Sequence, residues 1–240
     1  MRGKLRKRKG IVGIEAAIVM IAFIIVAAAL AFVTLNMGMF TTQRAKEVMA
    51  RGLSEASSAL EIDGSATGLT NSNSRVVNIS IPIKLAPGRE SVDLRSEKVT
   101  ISLIAGRNSY ADIHSGVYIL KYSSSGVNVG NETYKWYLED ATNTDNKVGV
   151  SQNDNYPSVK ELALALNKSG PAAVVVFIKT LHDDTVLEFG EKAIVLVFLD
   201  NGLSSYDTFT LEIRPPEGAP LTVQRTMPAI LPPDSAVDLG

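Results

Sequence analysis

Cysteine is absent from the 240 residues. Without a thiol the chain has no disulfide, thiolate zinc site, iron–sulfur cluster or cysteine nucleophile. Histidine is almost as scarce, with only His114 and His182, and the chain lacks a Gly-rich phosphate loop, Gly-x-Ser-x-Gly and His-Glu-x-x-His. We therefore expect no enzymatic activity, no cofactor and no metal centre.

An excess of basic charge is confined to the first ten residues. Residues 1–10 hold six of the 24 Lys and Arg residues and none of the 25 acidic ones, so residues 11–240 carry 18 basic against 25 acidic side chains, a net charge of −7. Phosphate binding needs clustered Lys and Arg on the folded part of a protein. Nucleic acid is therefore excluded as the main partner.

Charge of either sign is absent from the 25 residues between Ala16 and Phe40. As a helix this run spans roughly 37 Å, longer than the ~30 Å hydrocarbon core of a membrane. Apolar residues then continue at helical spacing from Ala45 to Leu60, and no proline occurs before Pro82. The pattern predicts one helix from about Ile14 to Asp63, apolar on all sides in its first half and amphipathic in its second.

An ordinary membrane anchor does not account for all of this segment. Glu15 places a carboxylate inside the apolar region, which indicates a partner or a function. A helix that is apolar on every side must be buried on every side, and the remaining ~180 residues cannot enclose a rod of this length. Lipid or copies of the same helix can do so.

The N-terminal motif is specific enough to identify a family. The residues KRKG/IVGIEAAIVMIAF, from Lys7 onward, resemble the class III signal peptide and first helix of archaellins, the archaeal flagellins of the type IV pilin-like superfamily. The resemblance implies cleavage by a membrane peptidase between Gly10 and Ile11, directly after Lys9. Gly13 then matches a glycine that archaellins favour, and Glu15 matches an assembly glutamate of the superfamily.

From about residue 70 the periodicity changes to that of strands. Seven or eight strands with turns between them indicate an antiparallel, Ig-like β-sandwich and, with the helix, an α+β chain. The strand segments are 76–83, 97–105, 117–123, 133–138, 172–180, 192–199, 207–214 and 221–225. Residues 158–167 fit a short helix or an edge segment. The domain prediction is a cleaved signal peptide at 1–10, a filament-core helix at 11–63 and an outer β-sandwich at 64–240.

Two C-terminal segments carry a weaker resemblance to archaellins. Leu211–Pro228 has a strand, then Pro and Gly-Ala-Pro, then a basic residue and a second Pro, and Phe189–Leu196 has a Gly-Glu step before a strand. Residues 105–170 match no family pattern.

Several other groups in the β region are candidates for surface chemistry. Asn78, Asn131 and Asn167 begin Asn-x-Ser/Thr sequons and are candidate N-glycan sites, with Asn78 the least favoured because it falls inside a strand. His114, the His182-Asp183-Asp184 cluster and the polar run 139–155 offer metal donors, but we interpret the two histidines as exposed turn residues and the run as a solvated loop. A cluster of aromatic residues fits either cross-strand packing or a contact surface: Tyr110, Tyr118, Tyr122, Tyr134, Trp136 and Tyr137.

The resemblance implies a structural subunit of the archaellum, the rotating filament that archaea use to swim. Its partners would be copies of itself, the prearchaellin peptidase and the membrane-embedded motor and assembly machinery. The precursor would lie in the cytoplasmic membrane and the product in an extracellular filament. Two alternatives stay open on the sequence: an archaeal adhesion pilin and a membrane-anchored ligand-binding β-sandwich.

Overall fold

A computed structural model describes residues 11–57, 59–89, 91–168 and 170–240. The chain divides into two compact units, with the boundary between Ser54 and Glu55. The described part of the first unit lies in one helix, α1 (Ile11–Ala56), whose last two residues belong to the second unit. The second unit is a β domain that contains one short helix, α2 (Val159–Leu166).

The β domain contains fifteen strands among the described residues. In chain order they are β1 (Leu60–Ile62), β2 (Thr67–Thr70), β3 (Val76–Leu85), β4 (Ser91–Asp93), β5 (Thr100–Ala105), β6 (Asn108–Tyr110), β7 (His114–Val129), β8 (Glu132–Asp140), β9 (Lys147–Ser151), β10 (Ala172–Lys179), β11 (Val186–Glu188), β12 (Lys192–Leu203), β13 (Thr208–Arg214), β14 (Leu221–Thr226) and β15 (Ala236–Asp238).

These strands form two main sheets and one small ribbon. The large sheet has the order β15-β2-β3-β12-β10-β7-β8-β9, with β1 also paired to β3, and the second sheet has the order β14-β13-β5-β6. The ribbon pairs β4 with β11. Among the described residues β7 and β10 pair in parallel and the other strand pairs are antiparallel. The predicted sandwich is thus confirmed as a mostly antiparallel fold with one parallel pair.

Strands β10 and β12 form the centre of the large sheet and are buried on both faces. Val175 and Phe177 point into the main core, which they share with Phe209 and Leu211 of the second sheet. Their neighbours Val174 and Val176 point to the other face, where α2 packs. Such continuous apolar runs occur where a sheet is covered on both sides. The domain therefore has three layers.

Helix α2 confirms the helical interpretation of residues 158–167 and excludes the edge segment. Ser158 caps its start: the Ser158 hydroxyl accepts from the Glu161 backbone N–H, and the Glu161 carboxylate accepts from the Ser158 N–H. This reciprocal pair satisfies two backbone donors at the helix end. Asn167 ends the helix in a left-handed conformation, and Leu162 and Leu166 bury the inner face.

The predicted end of the long helix at Asp63 is wrong. Helix α1 ends at Ala56, and Leu60 instead begins β1, opposite Leu85 of β3. Ala59 and Leu60 are buried in the main core of the β domain. Their burial is more favourable in the strand than on an exposed helical turn, so tertiary packing overrides the helical period. The helix segment is 11–56 rather than 11–63.

Candidate assembly helix and surface sites

The first feature of helix α1 is the complete exposure of its apolar surface. From Gly13 to Leu53 the helix is long and apolar enough to cross a membrane, and none of its most apolar stretch is buried within the chain. Large side chains such as Phe23, Leu30 and Phe32 are all exposed. Exposed apolar surface of this extent marks a surface that is covered by another molecule.

The predicted processing and assembly residues lie at the start of this helix. Lys9 and Gly10 are outside the described residues, and Ile11 is the first residue of α1. Gly13 has no side chain and open space around it, so the helix surface has no protruding group at this residue. Glu15 is the fifth residue of the helix, and its exposed carboxylate forms no hydrogen bond or ion pair with the described residues. The carboxylate is therefore free to bind a cation from another molecule.

Polar residues in the middle of the helix are satisfied locally. The hydroxyls of Thr34, Thr41 and Thr42 donate to the backbone carbonyls of Ala31, Met37 and Gly38 at 2.8–2.9 Å. A threonine that bonds its own preceding turn needs no partner from a neighbouring helix. These residues can be covered by an apolar surface at little cost.

The second half of the helix carries charge on one face. Glu47 accepts from Arg51 at 2.8 Å and lies 3.6 Å from Arg44, and the Arg44 guanidinium lies 5.5 Å from the centre of the Phe40 ring. Spacings of three and four residues put these side chains on one face. The amphipathic pattern predicted for this half is confirmed, and its apolar face includes Val48, Met49 and Leu53.

The three sequons lie in different surroundings. Asn78 is half-buried in β3, paired with Leu69 on one side and Phe198 on the other. Asn131 is exposed in the turn between β7 and β8, and Asn167 is exposed at the C-cap of α2. Ser169, the third residue of the last sequon, is outside the described residues. Of the three asparagines, Asn131 and Asn167 are exposed and Asn78 is half-buried.

The metal donors considered from the sequence do not come together. No group of three His, Asp or Glu side chains suited to a metal occurs in the described part of the chain. His114 lies with Nδ1 3.0 Å from the Val99 carbonyl, and burial lowers the pKa of this imidazole. His182 lies on the surface, 3.2 Å from Glu188.

The polar run 139–155 begins with a hydrogen-bonded turn. The Asp140 carboxylate accepts from Thr142 at 2.7–2.9 Å and from Asn143 at 3.3 Å, which folds the turn between β8 and β9. Strand β9 then occupies part of the run. The start of the run is therefore an Asx-type turn that joins two strands.

The predicted aromatic cluster forms partly. Trp136 packs against Tyr122 and Tyr156 with ring centres 4.9 Å apart in both pairs, and all three rings lie near the sheet face that α2 covers. Asp154 accepts from the Tyr122 hydroxyl and from Lys135. These contacts are cross-strand packing with satisfied polar atoms, as the simpler interpretation held. Tyr156 was missed because it lies outside a strand.

Glu191 is a structural residue whose role the sequence did not reveal. Its side chain is only 2% exposed, and its carboxylate accepts hydrogen bonds from the backbone N–H groups of Leu181, His182 and Glu188. Gly190 before it has a φ of 92°, which only glycine adopts easily. The Gly-Glu pair was the available signal, because a glycine followed by an acid often forms a turn.

Comparison with known proteins decides what this exposed helix belongs to. The family model of archaeal-type flagellin matches residues 10–225. The chain belongs to the archaeal-type flagellin family. It is 44% identical over 236 residues to "Probable flagellin 1" of Aeropyrum pernix, with 98% of this chain and all of the relative covered. It is 29% identical to "Probable flagellin 2" of Archaeoglobus fulgidus, with 94% of this chain and 93% of the relative covered.

A solved structure supports the fold assignment. The crystal structure of the archaeal flagellin FlaB1 from Methanocaldococcus jannaschii superposes with a TM-score of 0.52 at 18% identity, covering 75% of this chain and 95% of the other. As a flagellin, the chain is a structural subunit of the archaellum filament on the outside of the cell, and it is not an enzyme. This identification favours swimming over the adhesion pilin and the membrane-anchored binding protein.

Proposed function

We propose that this flagellin is made as a membrane-inserted precursor that a prearchaellin peptidase cuts between Gly10 and Ile11. Six basic residues and no acidic ones precede the cut. Moving so many charges into an apolar helix bundle carries a large desolvation cost. The uncut chain therefore stays at the cytoplasmic face of the membrane, and removal of the leader releases the helix for assembly.

In the mature filament, helix 11–56 forms the core and the β domain forms the outer sheath. The observation that carries this proposal is that a helix of more than forty residues has no buried apolar surface within its own chain. Each fully buried Ile, Leu or Phe contributes about 1.5–3 kcal/mol. Stacked copies of the helix supply that burial in the absence of lipid, through a head-to-tail contact that does not close.

Glu15 takes part in this assembly as an electrostatic guide. Its carboxylate has no cationic partner among the described residues, and it will be surrounded by apolar side chains in the bundle. A new α-amino group is created at Ile11 by the cut. We expect the Ile11 amine of a neighbouring subunit to pair with Glu15, because a buried carboxylate needs a counter-charge.

The membrane-embedded archaellum motor and assembly machinery are the remaining partners. The filament turns as a rigid body and transmits torque without a chemical step in the subunit.

N-glycans on Asn131 and Asn167 would cover the outer surface. Peptide mass spectrometry of purified filaments should find both residues modified and Asn78 unmodified, and unmodified Asn131 and Asn167 peptides would remove the glycan proposal.

N-terminal sequencing of filaments sheared from cells tests the processing step. We expect a start at Ile11, and we expect Gly10→Val to leave the chain uncut in the membrane fraction. Gly3→Val, a glycine substitution elsewhere in the leader, is the matched control and should be processed normally. Filaments that start at Met1 would overturn the proposal. Loss of swimming in a strain that makes only Gly10→Val would connect processing to motility.

A further inference from the structure

Two large apolar side chains protrude from neighbouring turns of the β domain. Phe189 is 82% exposed and Leu181 is 63% exposed. The buried Glu191 carboxylate fastens both turns, since it accepts from the backbone of Leu181 at 2.6 Å and of Glu188 at 2.8 Å. The two apolar side chains are thus held out to solvent on fixed backbone rather than on loose loops.

The turns lie at the end of the domain where the chain arrives from helix α1. They connect β10, which ends at Lys179, with β11 and β12, and β12 begins at Lys192. The Lys192 ammonium lies 2.5 Å from the carboxylate of Asp63, which directly follows β1.

Acidic charge surrounds the two apolar side chains. Residues 180–191 contain four acidic residues and no Lys or Arg. Asp183 is paired with Lys121 and Glu188 with His182. Asp184 accepts only the backbone N–H of Val186 and has no cationic partner among the described residues.

The amphipathic half of helix α1 offers the complementary surface. Residues 41–56 contain three basic residues against two acidic residues, Glu47 and Glu55. Arg44 and Arg51 share Glu47, whereas Lys46 forms no ion pair within the described residues. Lys46, Met49 and Leu53 follow at spacings of three and four and so share one face, on which Met49 and Leu53 are each 73% exposed.

We propose that Phe189 and Leu181 of one subunit dock on Met49 and Leu53 of a second copy in the filament, with Lys46 of that helix facing Asp184. The inference rests on the proposed function, in which α1 forms the core. Apolar contact supplies affinity, and the Lys46–Asp184 pair sets which part of the helix is bound, since charge complementarity contributes mainly to specificity. The contact would link each outer domain to a neighbouring helix.

The cysteine-free chain allows a direct crosslinking test. Filaments of the Phe189→Cys/Met49→Cys double variant, treated with a mild oxidant, should run as a ladder of disulfide-linked multimers on a non-reducing gel. Phe189→Cys/Ile230→Cys is the matched control, because Ile230 is equally exposed and lies outside the proposed contact. A ladder only in the control, a crosslinked monomer, or no crosslink in either variant would overturn the docking.

Charge reversal tests the same contact without cysteine. Lys46→Glu and Asp184→Lys should each lower the association constant by about fivefold per contact, which is the upper end of the contribution of an exposed ion pair. The double variant, with both charges reversed, should restore wild-type assembly. Failure of the double reversal to restore assembly would remove the ion pair. If wild-type filaments start at Ile11 but the variants show none of these effects, the proposed function stands and the docking is wrong. If the wild-type chain forms no filament, both proposals are wrong.

Discussion

The Glu191 carboxylate accepts a hydrogen bond from the backbone N–H of Leu181 at 2.6 Å, ten residues earlier in the chain. Through this bond one buried side chain ties the turn after β10 to the turn before β12. The same carboxylate also accepts from the backbone N–H groups of Glu188 and His182. Three backbone donors therefore depend on this one side chain. The described residues give this buried carboxylate no cationic partner, and backbone donors satisfy its hydrogen bonds instead.

Glu191→Ala should lower the free energy of unfolding of the β domain by about 2–4 kcal/mol, because it leaves buried N–H groups without an acceptor. Glu191→Gln should cost less, since one oxygen remains. Urea denaturation of a chain that begins at Glu55, the boundary of the second compact unit, measures both. Glu217→Ala is the control, because Glu217 is exposed and its side chain forms no hydrogen bond with the described residues. Equal stability of Glu191→Ala and the control would contradict this role.

Acid stability should depend on Asp93. Burial opposes ionisation of this carboxyl, but hydrogen bonds from Arg95, Lys98 and Thr185 outweigh it and hold its pKa well below the usual 3.8. A carboxyl with a lowered folded-state pKa stabilises the fold above its unfolded-state pKa, and this contribution is lost as pH falls below about 3.8. The free energy of unfolding should therefore decrease on acidification from pH 4 to pH 2.

Asp93→Asn tests that dependence. The variant should cost about 1–3 kcal/mol at pH 7, because it removes the charge that Arg95 and Lys98 bind. It should also flatten the decrease below pH 4, which urea titrations at several pH values would show. Asp145→Asn, in the exposed turn before β9, is the control and should retain the wild-type slope. An unchanged slope in Asp93→Asn would contradict the assignment.

Gly149 should be intolerant of even one methyl group. A Cβ at this position would overlap the ring of Tyr134 on the neighbouring strand, although the backbone is in an ordinary conformation. Gly149→Ala should lower the free energy of unfolding by about 1–3 kcal/mol, the usual cost of overpacking. In a Tyr134→Ala background the same change should be neutral or stabilising, because alanine suits a strand better than glycine. Equal effects in the two backgrounds would contradict the steric explanation.

The sequence was most informative where one physical pattern dominated a whole segment. The strands β10 and β12 were predicted within a few residues from their unbroken apolar runs, and the eight predicted strands all exist. The short helix α2 was one of the two interpretations of residues 158–167. Shorter strands such as β2, β6 and β11 were missed because three or four residues show no clear alternation.

Features that depend on distant residues could not be predicted. The helix stops at Ala56 because Leu60 finds partners in β3, and β7 lies parallel to β10, more than fifty residues later. The role of Glu191 depends on Leu181 approaching it in space. The long helix was predictable for the opposite reason, since its apolar residues follow one pattern set by local composition over the whole segment.

Glu15→Gln is the sharpest test of how assembly begins. Glutamine keeps the size and hydrogen-bonding capacity of the side chain but removes the charge that we expect to attract the Ile11 amine of a neighbour. Peptidase cleavage should be normal, because the leader is unchanged, whereas filament growth should slow by about tenfold, equivalent to ~1.4 kcal/mol per contact. Filament length over time, measured by electron microscopy after induction, reports this rate.

Glu47→Gln is the matched control for that experiment. Glu47 is also a helix glutamate, but it already has Arg44 and Arg51 as partners within its own chain, so loss of its charge should cost only a few tenths of a kcal/mol. A slowdown in both variants would indicate a general requirement for negative charge on the helix. Normal growth of Glu15→Gln filaments would show that apolar burial alone orders the subunits, and the amine–carboxylate pair would then have no part in assembly.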